Sequence, residues 1–372
     1  MNSKVKLFAM YLPQYHCIPE NDLFWGKGFT DWVTVKKAKP LFKGHNQPKI
    51  PLNENYYDLS KEENIIRQAN LAHQYGITGF GIYHYWFNSE KNLLTKPTEL
   101  IRDNKNINIK YFLAWDNANW KRSWSNVDGN AWSPLLDQTT KTSNEPAILV
   151  PYILGNEADW EKHYNYVRTH FLNEKYERIE NKPIFLILQY SKEIVEMCNF
   201  WNKLAQNDGF DGIFVIFKND YKGRIPKSQI RYNYEPIHSG WWANISLFRR
   251  AINKIFRKLG KKESLGIYDY DTIWKRSLKY AKKADENTIL GAFVSYDDTP
   301  RRGKKGKIII GSTAKKFGFY LKKLVGICSS RKYPYIFITA WNEWGEGAYL
   351  EPDNINKYEN LEAISNALNE KK

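Results

Sequence analysis

Tyr335-Ile336-Phe337-Ile338-Thr339-Ala340-Trp341-Asn342-Glu343-Trp344-Gly345-Glu346-Gly347 decides how the rest of the chain is read. Its first six residues are β-branched, aromatic or small, and uncharged, the composition of a fully buried strand. Two carboxylates, Glu343 and Glu346, then follow three residues apart, among indoles, an amide and two glycines. A desolvated acid costs free energy, so a fold does not set two at the mouth of a core strand for packing. A pair at that spacing suits acid/base chemistry on a sugar. The plain alternative makes one glutamate a helix cap and the other a solvated surface group.

Outward from this stretch, seven more segments read as strands: 5–11, 77–83, 109–115, 184–188, 212–217, 231–235 and 290–295. Helices are expected at 159–171, 192–206, 268–286, 313–329 and 358–368. Ser60-Lys61-Glu62-Glu63 reads as a capping box opening another helix, which Gly76 closes. Residues 16–59 read as one long loop. Eight strands alternating with helices predict an α/β fold, a single (β/α)8 TIM barrel over 1–372 with long βα-loop insertions, rather than a doubly wound sheet. The C-terminal strand ends of such a barrel meet on one rim, where sites are built. Tyr15-His16, His84-Tyr85-Trp86, Asp116-Asn117, Glu235, Asp297-Asp298 and the two glutamates all fall there. The longest segments follow strands one, three and six, and no linker, repeat or low-complexity tract interrupts them.

Composition narrows the chemistry. The 372 residues carry 14 Trp and 25 Tyr, whose flat faces and polar edges suit sugars as well as cores. Cys17, Cys198 and Cys328 lack metal-ligand spacing and fit a reducing compartment. The first residues lack a signal-peptide apolar region, and no apolar run is long enough to span a bilayer. A soluble, cytoplasmic protein is expected, with a peripheral contact at the inner membrane as a further reading. The formal net charge is +16. Part of the excess lies in 301–307 and part in 245–262, where Ile245, Phe248, Ile252, Ile255, Phe256 and Leu259 recur at helical spacing. That amphipathic pattern suits an anionic membrane surface or an outer helix with a solvated basic face. No nucleic-acid-binding module is recognisable, so nucleic acid is not an expected partner. No metal-ligand set, phosphate-binding loop or nucleophile elbow appears, so neither metal nor cofactor is expected.

Several stretches together carry a resemblance. They are Tyr11-Leu12-Pro13-Gln14-Tyr15-His16, Ile18 to Asp22, Trp25-Gly26-Lys27-Gly28-Phe29-Thr30-Asp31-Trp32, Lys39 to Phe42, Tyr83-His84-Tyr85-Trp86-Phe87, Asp298-Thr299-Pro300-Arg301, and Trp341 to Asp353. In these the chain resembles the WbsX family of bacterial surface-polysaccharide gene clusters, which is related to glycoside hydrolase family 99. The resemblance implies a (β/α)8 barrel acting on α-mannosidic linkages with retention. It makes Glu343 the base that deprotonates the sugar 2-hydroxyl, giving a 1,2-anhydro sugar. Glu346 becomes the acid that protonates the leaving oxygen and later activates water. Asn342 would hold a hydroxyl. Like charges placed close together would split the two pKa values into an acid and a base. Gly345 stands where the hydrolases commonly have histidine, and Asp116 is the carboxylate nearest Ala118, where relatives usually have glutamate.

From the rim and the matched stretches, the candidate sugar-binding residues begin with Tyr11, Gln14, Tyr15, His16 and Trp32. They continue with His84, Tyr85, Trp86, Trp115, Asp116, Asn117, Glu235, Asp298 and Arg301. The last segment adds Trp341, Asn342, Trp344, Tyr349 and Glu351. Three functions fit: a retaining glycosidase or transglycosidase on an α-mannosyl-like linkage of a surface polysaccharide, a glycosyltransferase with an activated donor, and a non-catalytic glycan-binding protein. The expected partner is an oligosaccharide or lipid-linked glycan. A transferase's DxD metal triplet is lacking, since Asp269-Tyr270-Asp271 reads as a helix start.

Overall fold

In the computed structural model, residues 5–121, 148–220, 223–242 and 265–369 are described. The barrel strands are β1 (Lys6–Tyr11), β2 (Gly79–Asn88), β3 (Lys110–Trp115), β4 (Lys182–Ile187), β5 (Phe214–Lys218), β6 (Ile230–Tyr232), β7 (Thr288–Phe293) and β8 (Tyr335–Thr339). Each pairs in parallel with the next, from β2–β3 through β7–β8. Pairing of β1 with both β8 (Ala9↔Ile338) and β2 (Ala9↔Phe80) closes the ring. The buried strand read from 335–340 is thus the last stave of a closed TIM-type barrel. Uncharged side chains suit both of its faces, because one meets the lumen and the other the helix layer. The lumen is filled by aromatic rings, with Phe112 4.8 Å from Phe337 and Tyr232 5.1 Å from Phe337, centre to centre.

The helices are α1 (Pro19–Trp25), α2 (Asp31–Lys37), α3 (Glu62–Gln74), α4 (Lys96–Asp103), α5 (Glu157–Phe171), α6 (Lys192–Asn207), α7 (Tyr270–Lys283), α8 (Thr299–Arg302), α9 (Ala314–Cys328) and α10 (Glu359–Leu368). Local chemistry explains their starts. Ser191 and Thr313 accept from the N–H groups of Ile194 and Lys316, and Asn156 with Asp159 forms a reciprocal capping box. Asp269 caps α7 through the Thr272 N–H, and Asp271 binds Lys316, so this triplet is a helix start as expected.

Several boundaries differ from the sequence reading. The stretch 16–59 contains α1 and α2 rather than a continuous loop, and α4 was not foreseen. The capping box does not form: Lys61 is the N-cap, and the Ser60 N–H turns to Asp58 Oδ1 at 2.8 Å. Strand β6 stops at Tyr232, three residues before Glu235. Outside the barrel, Gly266–Asp269 and Lys307–Ile310 form a two-stranded parallel sheet that periodicity did not reveal. The basic stretch 245–262 lies outside the described residues, and among the described residues no helix is long and apolar enough to cross a membrane.

Candidate active site

After β8 the chain makes an extended pair, Asn342-Glu343 against Ala348-Tyr349, closed by a 3-10 turn at Trp344–Glu346. Gly347 ends that turn at φ +56°, a conformation glycine adopts without Cβ strain. The turn aims both glutamates into the barrel mouth. Facing them, α8 after β7 brings Arg301, and the start of α2 brings Asp31. Arg301 Nη1 donates to Glu346 at 2.9 Å, and Nη2 lies 3.2 Å from both Glu343 Oε2 and Asp31 Oδ2. The Arg301 side chain is 12% exposed, Glu343 7% and Glu346 23%. One guanidinium therefore faces three carboxylates in a nearly dry site.

Burial pushes Glu343 up to about 8, with Arg301 opposing that rise and Glu346 and Asp31 adding to it. Glu346 is raised as well, again chiefly by burial, against Arg301. Desolvation thus exceeds the like-charge repulsion expected from sequence as the cause. Burial therefore favours the protonated form of both glutamates, in contrast to the resting base that the resemblance implies for Glu343. Gly345 has a steric reason: a Cβ there would lie 2.6 Å from Arg301 Nε and 2.7 Å from Asp31 Oδ2. Glycine at 345 admits the guanidinium onto the pair.

Residues on the strands and just past their ends surround the pair. Tyr83 and Tyr234 share a 2.8 Å hydrogen bond, and both feel the Glu343 charge. Tyr85, which accepts from Gln14 Nε2 at 3.2 Å, lies in the field of Asp116 and Glu343. Burial raises Asp116 to about 6, with Lys218 opposing. Burial lowers the Lys218 amine, with Asp116 and then Glu346 opposing. Among the described residues no group of His, Cys, Asp and Glu is arranged to hold a metal ion.

A family model described as glycosyltransferase WbsX matches residues 7–364. The chain belongs to the WbsX family. Two WxcX proteins of Xanthomonas campestris pv. campestris, strains B100 and ATCC 33913, are each 30% identical over 370 residues, 97% of this chain and 49% of theirs. The chain thus spans about half the length of the curated relatives it matches. Among solved structures, a glycoside hydrolase-like protein superposes with a TM-score of 0.58 at 13% identity, covering 99% of this chain and 94% of that one. The glycoside hydrolase family 99 endo-α-mannosidase of Bacteroides thetaiotaomicron gives 0.52 at 14% identity, covering 97% and 95%. At such identities the likeness is one of fold.

The fold of this WbsX chain sends many candidate residues elsewhere. Asn342 is fully buried, and its amide binds the Leu12 N–H at 2.7 Å and the Leu12 carbonyl at 3.0 Å. It splices β1 to the glutamate turn and has no face left for a sugar hydroxyl. Tyr15 supports the same turn: its hydroxyl lies 2.6 Å from the Asn342 carbonyl and accepts from the Trp344 N–H at 3.2 Å. Trp344 stacks on Tyr349 at 3.7 Å, and Trp32 packs on Tyr15 at 4.5 Å. Tyr11 donates to Gln68, and Trp341 is fully buried. These rings are framework beneath the site.

On β2, alternation turns His84 and Trp86 to the helix layer, away from Tyr83 and Tyr85. His84 meets His163 of α5 at 2.9 Å, and Trp86 stacks on the same imidazole at 4.4 Å. Burial lowers His84 to about 3, so it is neutral. Trp115 donates to the Trp86 carbonyl, and Asn117 exchanges two hydrogen bonds with the Gln189 backbone. His16 binds the Pro13 carbonyl at 2.9 Å. Glu235 accepts from the Ser239 N–H and hydroxyl. Asp298 accepts from the Lys307 N–H and pairs with Arg302, which shapes the loop carrying Arg301. Asp31, Tyr83, Lys218, Tyr234 and Tyr296 were not among the sequence candidates. Period-two alternation from Tyr85 would have found Tyr83; Lys218, at the end of β5, carried no motif.

Proposed function

We propose that this chain is a carbohydrate-active enzyme that cleaves or transfers an α-mannosyl-like glycosidic linkage with retention, in the metabolism of a bacterial surface polysaccharide. The supporting observation is the buried Glu343/Glu346 pair held by one guanidinium at the C-terminal mouth of the barrel. Glu343 takes the proton of the sugar 2-hydroxyl as O2 attacks C1 and the glycosidic C1–O bond breaks. Glu346 delivers its proton to the departing oxygen. Glu346 then deprotonates water or an accepting hydroxyl, which opens the 1,2-anhydro ring at C1, and Glu343 returns its proton to O2. The cycle needs Glu343 ionised, so the substrate must draw the resting proton toward Glu346. Tyr83 and Tyr85 lie in the field of Glu343, and Lys218 in the fields of Asp116 and Glu346.

Arg301 supports a second reading, transfer from an activated donor, because a guanidinium beside the leaving oxygen stabilises a group that departs as an anion. Incubation with a panel of α-mannosyl oligosaccharides, followed by mass spectrometry, tests both. Cleavage that disappears in Glu346→Gln fits the glycosidase reading. No cleavage by either protein, with turnover of a glycosyl phosphate, replaces it by the transferase reading. No reaction with either substrate class overturns both and leaves glycan binding.

A further inference from the structure

Beyond Glu346 a series of rings leads out of the site and has no part in the reaction as proposed. Tyr296 is buried, and its phenol feels the Glu346 charge. Trp241 lies 5.0 Å from Tyr296, and Tyr268 lies 5.5 Å from Trp241, centre to centre. Trp241 belongs to a π-helical turn at His238–Trp242, a geometry that recurs at functional sites. Tyr268 is carried by the outer strand Gly266–Asp269. Trp241 and Tyr268 are half-buried, whereas Tyr296, the ring beside Glu346, is buried.

Positive charge rises in the same direction. The Lys307 ammonium stands 5.2 Å from the centre of the Trp241 ring. Arg302, Lys304 and Lys305 are exposed on the loop just before it, and Arg302 also pairs with Asp298. Aromatic faces receive the apolar faces of sugar rings, and a cation at the edge of such a surface favours an anionic substituent. Rings that served packing alone would be covered at their outer end. Among the described residues the two outer rings are the less buried ones, and they stand beside the basic residues.

We propose that Tyr296, Trp241 and Tyr268 form the subsite for the sugar on the Glu346 side of the scissile bond, the leaving or accepting unit. This sugar carries an anionic group, phosphate or carboxylate, which Lys307 and the 302–305 loop hold. The assignment of side rests on Glu346 serving the leaving oxygen.

Ligand-observed NMR titration of the full chain tests it, with methyl α-mannoside, mannose 1-phosphate, glucuronic acid and inorganic phosphate as probes. An anionic sugar binds roughly tenfold more tightly than methyl α-mannoside, the scale of about one cation–π or charged contact. The phosphate and carboxylate probes distinguish the two anions. Joint replacement Lys304→Gln, Lys305→Gln and Lys307→Met removes the preference and leaves methyl α-mannoside binding unchanged. Trp241→Ala weakens every sugar, and Trp241→Phe restores most of the loss. Glu346→Gln keeps the binding, so failure of the catalytic reading is separable from failure of the subsite. Equal affinity for neutral and anionic sugars, or no saturable sugar binding, overturns the proposal. Inorganic phosphate binding as tightly as mannose 1-phosphate reduces the site to an anion patch and overturns it too. If Trp241→Ala fails to fold by circular dichroism, the lysine triple variant and Trp241→Phe still decide.

Discussion

Glu343 and Glu351 lie eight residues apart, are both buried, and do opposite work. Glu351 accepts from the Tyr57 hydroxyl, the Gln68 amide and the Trp344 indole, each at 2.7 Å. Neutral donors fix it from three sides, and it ties α3 to the segment after the glutamate turn. Among the described residues Glu343 has one donor, Arg301 at 3.2 Å, and shares it with Asp31 and Glu346. A carboxylate surrounded by donors is structural cement, whereas one short of partners keeps capacity for a substrate proton. Burial alone does not separate them; the donor set does.

Four measurements can break or sharpen this contrast. The largest effect is on turnover. Glu343→Gln and Glu346→Gln each lower activity by roughly 10²–10⁴-fold while circular dichroism stays native. Retained activity in both would make them structural, like Glu351. Next comes Glu351→Leu, which strands three buried donors and lowers unfolding free energy by about 3–5 kcal/mol in urea. An unchanged midpoint would put Glu351 outside the framework. Gly345→Ala follows: its Cβ drives Arg301 and Asp31 apart, with about 1–3 kcal/mol lost and turnover reduced. Activity at the wild-type level would mean that Arg301 is not needed against the pair.

The last effect concerns pH. An unfolded glutamate releases its proton near 4.5, while native Glu343 keeps one to about 8. The native state binds more protons over that window, so this group makes stability fall as pH rises through it and leaves the loss in place above. Glu343→Gln removes the titration. Its melting temperature should match wild type near pH 4.5 and rise progressively above it as pH approaches 8. A difference that is constant with pH would deny the raised pKa.

Much of the fold was legible because its signals are local. The buried run at 335–340 and its seven counterparts specify staves, and strand-end polar clusters specify a rim. Boundaries failed where tertiary contacts overrule local preference. Lys61 rather than Ser60 takes the N-cap position of α3, with no side-chain cap hydrogen bond, and the Ser60 N–H turns to Asp58. The helices α1 and α2 were hidden among Gly, Pro and Trp residues that read as loop.

For the site, sequence by itself determined which acids stand after β8, that Trp344 and Gly345 separate them, and that the chain carries the WbsX motifs. Residue type and spacing are enough for that. Tertiary structure decided which of the surrounding residues face the pair. Asn342, Glu351 and His84 matched a sugar site by chemistry, yet packing commits them to Leu12, to Tyr57 with Gln68, and to His163. Asp31 and Arg301, 270 residues apart, meet at one point. The physical reason is that a carboxylate's proton affinity depends on the donors, charges and water left around it, and those come from segments far apart in the chain.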